Sequence, residues 1–239
     1  MKVLVIDIGG TKIKVLASGQ LEPRKATSGR GLTPGRMVEI VRQLANGWEY
    51  EAISIGYPGL VGPAGPRSEP GNLGPGWVGF DYAAAFDHPV KIVNDAAMQA
   101  LGSYEGGRML FLGLGTGLGS AMISDGVIIP LELGRLPYRR RQALWEVLGR
   151  RGLKRLGKGA WKKAVAEVAS IFMGAFAADY VVLGGGNAKL LKEPPPGCRM
   201  GHNLTAVRGG FRLWGLEGVP VLGADQLDHA APAAEWRLI

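Results

Sequence analysis

Val3-Leu4-Val5-Ile6-Asp7-Ile8-Gly9-Gly10-Thr11-Lys12 is the stretch on which the reading of this chain turns. Residues 3–6 form an unbroken apolar run rich in β-branched side chains, which reads as a buried strand. The run meets an aspartate, a glycine pair, a hydroxyl and a lysine. Glycines at a strand end let backbone N–H groups turn toward an anion with no Cβ in the way. Thr11 can donate its hydroxyl to a phosphate oxygen, and Lys12 adds positive charge. Asp7, at the strand end, is placed to hold a hydrated Mg2+. A plain hairpin with an exposed aspartate would read the same way in isolation, so the rest of the chain has to decide.

A second stretch repeats the plan. Residues 3–19 and 110–126 each span seventeen residues, and each reads apolar strand, Gly/Thr turn, returning strand and terminal glycine. The turn of the second copy is Gly115-Thr116-Gly117. An internal repeat of this kind marks a duplicated supersecondary unit. Two Gly/Thr hairpins could clamp one phosphate chain from both sides.

Between the copies, Thr33-Pro34 opens a helix by capping it and filling its first turn, and Gly47 stops it. Residues 52–57 read as a buried strand. Residues 58–79 are rich in glycine and proline, which suits a flexible linker, but Tyr57, Asn72 and Trp77 favour a ligand-facing loop. A short helix over 81–86 and a strand over 90–93 lead to Asn94-Asp95 and a further helix. Gly106-Gly107 reads as a boundary between two domains, 1–107 and 108–239, with the final helix of the second free to pack back on the first. After the second hairpin come Glu132-Leu133-Gly134-Arg135, helices near 142–149 and 160–177, and a strand over 179–183. Gly184-Gly185-Gly186-Asn187 follows, with Asn187 able to cap the next helix, and a last helix covers about 203–217.

Composition sets the outer bounds. At 239 residues, with 46% hydrophobic and 20% charged content, the chain can bury a sizeable core. No apolar run approaches the ~20 residues needed to span a bilayer, and no N-terminal signal is visible. One cysteine excludes an internal disulfide and a cysteine-cluster zinc site, so a cytoplasmic location is the default. The net charge of +8 is local: residues 135–163 hold eleven Lys/Arg against one Glu. That run reads as a solvated helix face, a polyanion track or a nucleic-acid surface. No nucleic-acid motif accompanies it.

The order of these motifs resembles the ROK sugar kinases, and among them the small polyphosphate glucokinase branch. The likeness rests on seven landmarks: DIGGTK (7–12), GYPG (56–59), GNL (71–73), ND (94–95), LGTGLGS (114–120), ELG (132–134) and LGGGNAK (183–189). It implies an α/β actin-like ATPase (ribonuclease H-like) fold: two similar mixed-sheet domains with flanking helices and a cleft between them. It implies phosphoryl transfer from ATP or polyphosphate, with Mg2+ and without zinc, to the primary hydroxyl of a hexose, with glucose as the first expectation. Asp95 would be the general base, as a carboxylate must assist a weakly nucleophilic hydroxyl. Gly59, Asn72, Asn94 and Glu132 would hold sugar hydroxyls. Gly9, Gly10, Thr11 and Lys12 would form one phosphate loop and Gly115, Thr116 and Gly117 the other, with the nucleotide strip at Gly184 and Gly185. Read without the family, Asp95 could be a helix cap, Glu132 a surface acid and Asn72 a turn residue. Arg135 stands where the family pattern has a sugar-contacting histidine; arginine is always charged and accepts no hydrogen bond. It is carried as a sugar-side residue, and it opens the alternative of a non-catalytic sugar or nucleotide regulator. The expected partners are a small sugar and its donor, without nucleic acid or membrane, with room for a homodimer.

Overall fold

The computed structural model describes residues 1–139, 142–202, 204–216 and 236–238. Arg140 and Arg141 of the basic run, the ends of the expected last helix and most of the tail lie outside these residues.

The first apolar runs fold as expected: β1 (Val3–Ile8) and β2 (Lys12–Ala17) form a hairpin, with Ile8 facing Ile13 and Asp7 facing Lys14. A third strand, β3 (Arg24–Thr27), extends this meander where the sequence suggested only a loop. It carries two charges and little burial, so it has no apolar period to read. Helix α1 (Pro34–Leu44) is capped by Thr33, which accepts from the Arg36 N–H. Strand β4 (Ala52–Tyr57) pairs parallel to β1. Residues 58–79 hold the small hairpin β5 (Val61–Gly62) and β6 (Gly65–Pro66), then fold back on the core. Trp77 is fully buried and donates from its indole to the Gly74 carbonyl, and the Tyr57 hydroxyl donates to Ser68 O. The segment is an anchored loop. Helix α2 (Tyr82–Phe86) precedes β7 (Val90–Asn94), which completes a sheet ordered β3-β2-β1-β4-β7. Helix α3 (Asp95–Ser103) starts directly from β7.

The second half repeats the plan. β8 (Met109–Leu114), β9 (Leu118–Ser124) and β10 (Val127–Leu131) form the meander, followed by α4 (Leu144–Leu148) and α5 (Arg150–Ala175). β11 (Tyr180–Gly184) lies parallel to β8, and β12 (Cys198–Met200) parallel to β11. With α6 (Thr205–Arg212) and β13 (Arg237–Leu238), the sheet order is β12-β11-β8-β9-β10-β13. Setting β13 aside, meander followed by two parallel strands matches the first sheet strand for strand. The duplication therefore covers whole sheets, although only the hairpins are visible in sequence.

Two sequence expectations are corrected here. The second basic helix begins ten residues earlier than its apolar period suggests and breaks at Gly157, whose φ is 75°. Its N-terminal turn is fixed by tertiary contacts rather than by an apolar stripe. Asn187 does not cap the short 3-10 turn at Ala188–Leu190 with its side chain, which reaches Gly115 O instead, at 2.9 Å.

Helices α3 and α6 lie in one apolar cluster between the inner faces of the two sheets, among Val3, Val5, Phe111 and Ile123. The approach is close because the facing residues are small. A Cβ on Gly102 would fall 1.8 Å from Thr205 O, one on Gly209 1.8 Å from Met98 O, and one on Gly210 2.4 Å from the Val5 side chain. Buried Ser54 of β4 donates to Gly210 O at 2.6 Å, and Trp214 donates its indole N–H to the Ser54 oxygen at 3.0 Å. Buried Arg212 donates to the carbonyls of Leu101 and Tyr104. A helix from the chain's far end is thus built into the core of its first half.

Candidate active site

Helix α3 brings Asp95 to the junction of both sheets. Asn94 caps the helix: its Oδ1 accepts from the Ala96 and Ala97 N–H groups, and its Nδ2 donates to Gly59 O at 3.0 Å. Asp95 is therefore freed from capping and stands one position inside. Glycine clears the ground on both flanks. A Cβ on Gly56 would strike the Met98 side chain, and one on Gly119 would sit 2.9 Å from the Ala96 Cβ. The start of α3 is wedged between β4 and β9, close to both hairpin turns.

Burial raises the Asp95 carboxyl most, and the negative charges of Asp7 and Glu132 raise it further. The Ala96 N–H, donating at 2.8 Å, pulls the other way, and the net result is a pKa pushed up to about 7. A carboxylate balanced near neutrality suits proton uptake from a hydroxyl.

Both glycine turns are braced. In the first, Gly9 N–H donates to Lys12 O, and Ser28 donates its hydroxyl to Gly9 O at 2.6 Å. Thr11 and Lys12 are exposed at its tip. In the second, the Arg150 N–H at the start of α5 donates to Gly115 O and Thr116 O, while Asn187 holds Gly115 O from the other side. Gly117 closes the turn by accepting from Gly115 N–H, at 3.2 Å. Gly10 lies so near Asn72 that a Cβ would come within 2.2 Å of the Asn72 Nδ2. The first glycine turn and the GNL loop are thus one contact surface. Gly184 is buried against the Phe111 ring, while Gly185, at φ 81°, is packed on the Leu114 backbone and exposed outward.

Glu132 opens a short 3-10 turn over Leu133–Arg135. Buried Ser120 fixes it, donating to Leu131 O and accepting from the Leu133 N–H. Arg135 bends back on Glu132, its Nε 3.4 Å from the carboxylate, and both side chains remain accessible. The positive charge at 135 therefore lies against the acidic group expected to meet the sugar.

Three contributors escaped the sequence reading. Lys14 meets Asp7, at 3.1 Å; the hairpin register that pairs residues 7 and 14 was the available signal. Ser28 and Ser120 act on backbone from elements that no motif marks. Among the described residues no group of three His, Cys, Asp or Glu could hold a metal ion directly. Asp7 accepts from Lys14 through one oxygen, at 3.1 Å, and a single carboxylate so engaged fits a contact to a hydrated cation better than direct ligation. No helix among the described residues is long and apolar enough to cross a membrane.

No family model matches the chain. It is 29% identical over 204 residues to the polyphosphate glucokinase of Mycobacterium leprae, a match covering 76% of this chain and 62% of that protein. In structure it resembles the inorganic polyphosphate/ATP-glucomannokinase of Arthrobacter sp. strain KM, with a TM-score of 0.72 and 25% identity over 87% of this chain and 96% of that one. The chain thus resembles the ROK sugar kinases, near the polyphosphate glucokinases, in sequence and in fold. A ROK family glucokinase from Streptomyces griseus shares the fold at a TM-score of 0.61 and 16% identity, covering 100% of this chain and 94% of that one. The doubled sheet is therefore the actin-like fold of these structures. These relatives give no support to a non-catalytic regulator. The matched part spans about three fifths of the Mycobacterium leprae enzyme's length.

Proposed function

We propose that the protein transfers a phosphoryl group from polyphosphate or ATP to the primary hydroxyl of a hexose, glucose first among them. The observation that carries this is Asp95: a carboxyl balanced near pH 7, held between two braced glycine turns at the junction of two sheets.

In the reaction so read, the sugar's primary hydroxyl gives its proton to the Asp95 carboxylate as its oxygen attacks the terminal phosphorus of the donor. A new O–P bond forms, the bond to the rest of the donor breaks, and the leaving phosphate takes the electron pair. Such transfers need positioning and charge neutralisation more than covalent help. The turns at Gly9–Lys12 and Gly115–Gly117 would supply backbone donors to the phosphate chain. Lys12 and the Thr11 hydroxyl are exposed there to join them. Gly185 would border the nucleotide when ATP is used, and Gly184 would support that surface from beneath. Asn72, Gly59 and Glu132 would hold sugar hydroxyls. Asn94 keeps one amide hydrogen for the same purpose, since its other groups serve α3 and Gly59. Arg135, bound to Glu132, would narrow the choice of sugar. Mg2+, held through water by Asp7, would screen charge on the transferring phosphoryl group.

The relatives support this reading by name: one is a polyphosphate glucokinase and another a polyphosphate/ATP-glucomannokinase. The setting that goes with it is the cytoplasm, with a sugar and a donor as the partners. The test is a matrix of hexoses, including glucose and mannose, against ATP and polyphosphate, each with Mg2+. Turnover of glucose with at least one donor is expected. No turnover of any sugar with either donor would overturn the reading.

A further inference from the structure

Strand β9 leaves the second glycine turn and meets two further parts of the site on consecutive residues. Gly119 lies against the start of α3, where its Cβ would come within 2.9 Å of the Ala96 Cβ, next to Asp95. Ser120, one residue on, serves the opposite face, as successive strand positions do. It is 1% exposed, and its partner across the ladder is Leu131, the last residue of β10. The chain then leaves the sheet at Glu132, with φ −112° and ψ 46°. There the Ser120 hydroxyl takes over from the ladder, donating to Leu131 O at 2.8 Å and accepting from the Leu133 N–H at 3.1 Å. One side chain thus grips the residue before Glu132 and the residue after it. Gly134 holds the same turn down from its far end, since a Cβ there would fall 2.8 Å from Leu118 O. The Glu132 side chain itself is accessible, so its place is set by the backbone that carries it. An apolar residue at 120 would leave both buried backbone groups unpaired and the acidic arm free to drift.

We infer, on the reading of Glu132 as a sugar ligand, that Ser120 is a positioning residue: its hydroxyl fixes where the Glu132 carboxylate stands relative to Asp95, and so how the sugar is held. Asp95 responds to that placement. Burial raises its carboxyl most, the Asp7 charge next, and the Glu132 charge adds to both. Displacing Glu132 therefore changes the titration of Asp95 even when no ligand is present.

The test follows the Asp95 carboxyl by carbon NMR of aspartate-labelled protein as pH is raised, without ligand or turnover. Glu132→Gln should move the midpoint to lower pH, because it removes a charge that opposes ionisation. Ser120→Ala should move it the same way, and Ser120→Ala/Glu132→Gln should stop where Glu132→Gln alone stops. Gly134→Ala, which presses the turn off β9 but keeps the hydroxyl, should also lower the midpoint, so the answer does not hang on one variant folding. Ser54→Ala removes hydrogen bonds from an equally buried serine of the other sheet; it should lower stability and leave the midpoint in place. In turnover, Ser120→Ala should raise the glucose KM about threefold to tenfold and keep the donor KM within about twofold of wild type. An unmoved midpoint in Ser120→Ala or in Glu132→Gln, a further shift in the double variant, an equal shift in Ser54→Ala, or an unchanged glucose KM would overturn the proposal. A protein that titrates as expected but phosphorylates no sugar would sink the kinase reading and leave the placement of Glu132 by Ser120 standing.

Discussion

At the scale of single residues, the consequential value is the Asp95 carboxyl near 7. If Asp95 takes the sugar's proton, kcat/KM should fall as pH drops below about 7, because protonation removes the base. Asp95→Asn should lower kcat by about 10²–10⁴-fold, measured under saturating sugar and donor. The same substitution should leave the fold more stable at alkaline pH. The raised group binds its proton more tightly folded than unfolded. That favourable contribution is complete below the ordinary carboxyl value of 3.8 and is lost as pH rises through about 7. At pH 8 the ionised wild type bears the cost and the amide does not, so Asp95→Asn should unfold at higher urea, by about 1–3 kcal/mol. Equal midpoints at pH 8 would show that the carboxylate is not under strain. Asp7 is the next largest cause of the shift after burial. Asp7→Asn should therefore move the acid limb of kcat/KM to lower pH, whatever it does to the absolute rate.

At the scale of elements, glycines set where loops and helices touch. Gly10 lets the first glycine turn lie on Asn72, and the atom a Cβ would meet is the far end of a side chain that can rotate. Gly10→Ala should leave the fold intact and displace Asn72. The expected sign is a rise in sugar KM with the thermal midpoint nearly unchanged; an unaltered KM would remove Asn72 from the sugar site. Gly102 and Gly209 differ, since each would place its Cβ 1.8 Å from a backbone carbonyl that cannot swing aside. Alanine at either should force α3 and α6 apart and cost about 1–3 kcal/mol or more in denaturant unfolding. Because α3 carries Asp95, activity should fall with it.

At the scale of the whole molecule, the two sheets share one core. Val3 and Val5 of the first sheet and Phe111 and Ile123 of the second enclose α3 and α6 together. Ser54 of the first half has its hydrogen bonds with Gly210 and Trp214 of the last helix region. A division into 1–107 and 108–239 at Gly106-Gly107 assigns α6 to the second part while it packs on the first. Residues 1–107 expressed alone would lose Gly210 against Val5 and both partners of Ser54. They should give no cooperative unfolding transition by circular dichroism, whereas the full chain should give one. A sharp transition in the fragment would show that the first half stands without α6.

Much of this was legible in the residues themselves. Apolar runs and glycine turns determined both hairpins, because a buried strand and a tight turn each leave a local signature. Asn94-Asp95 after a strand determined where a carboxylate would stand, and Thr33-Pro34 where α1 would start. Tertiary structure decided what depends on residues far apart. It showed that Asn94 is the cap and Asp95 is not, because only their hydrogen bonds distinguish neighbours of similar capping strength. It paired Lys14 with Asp7 through strand register. It put Arg135 on Glu132 and Arg139 on Glu167, pairings that the even run of positive charge conceals. The opening strand and its glycine turn were set by local physics. The acidity of the aspartate beside them was set by burial and by charges from Asp7 and Glu132, which the fold alone brings together.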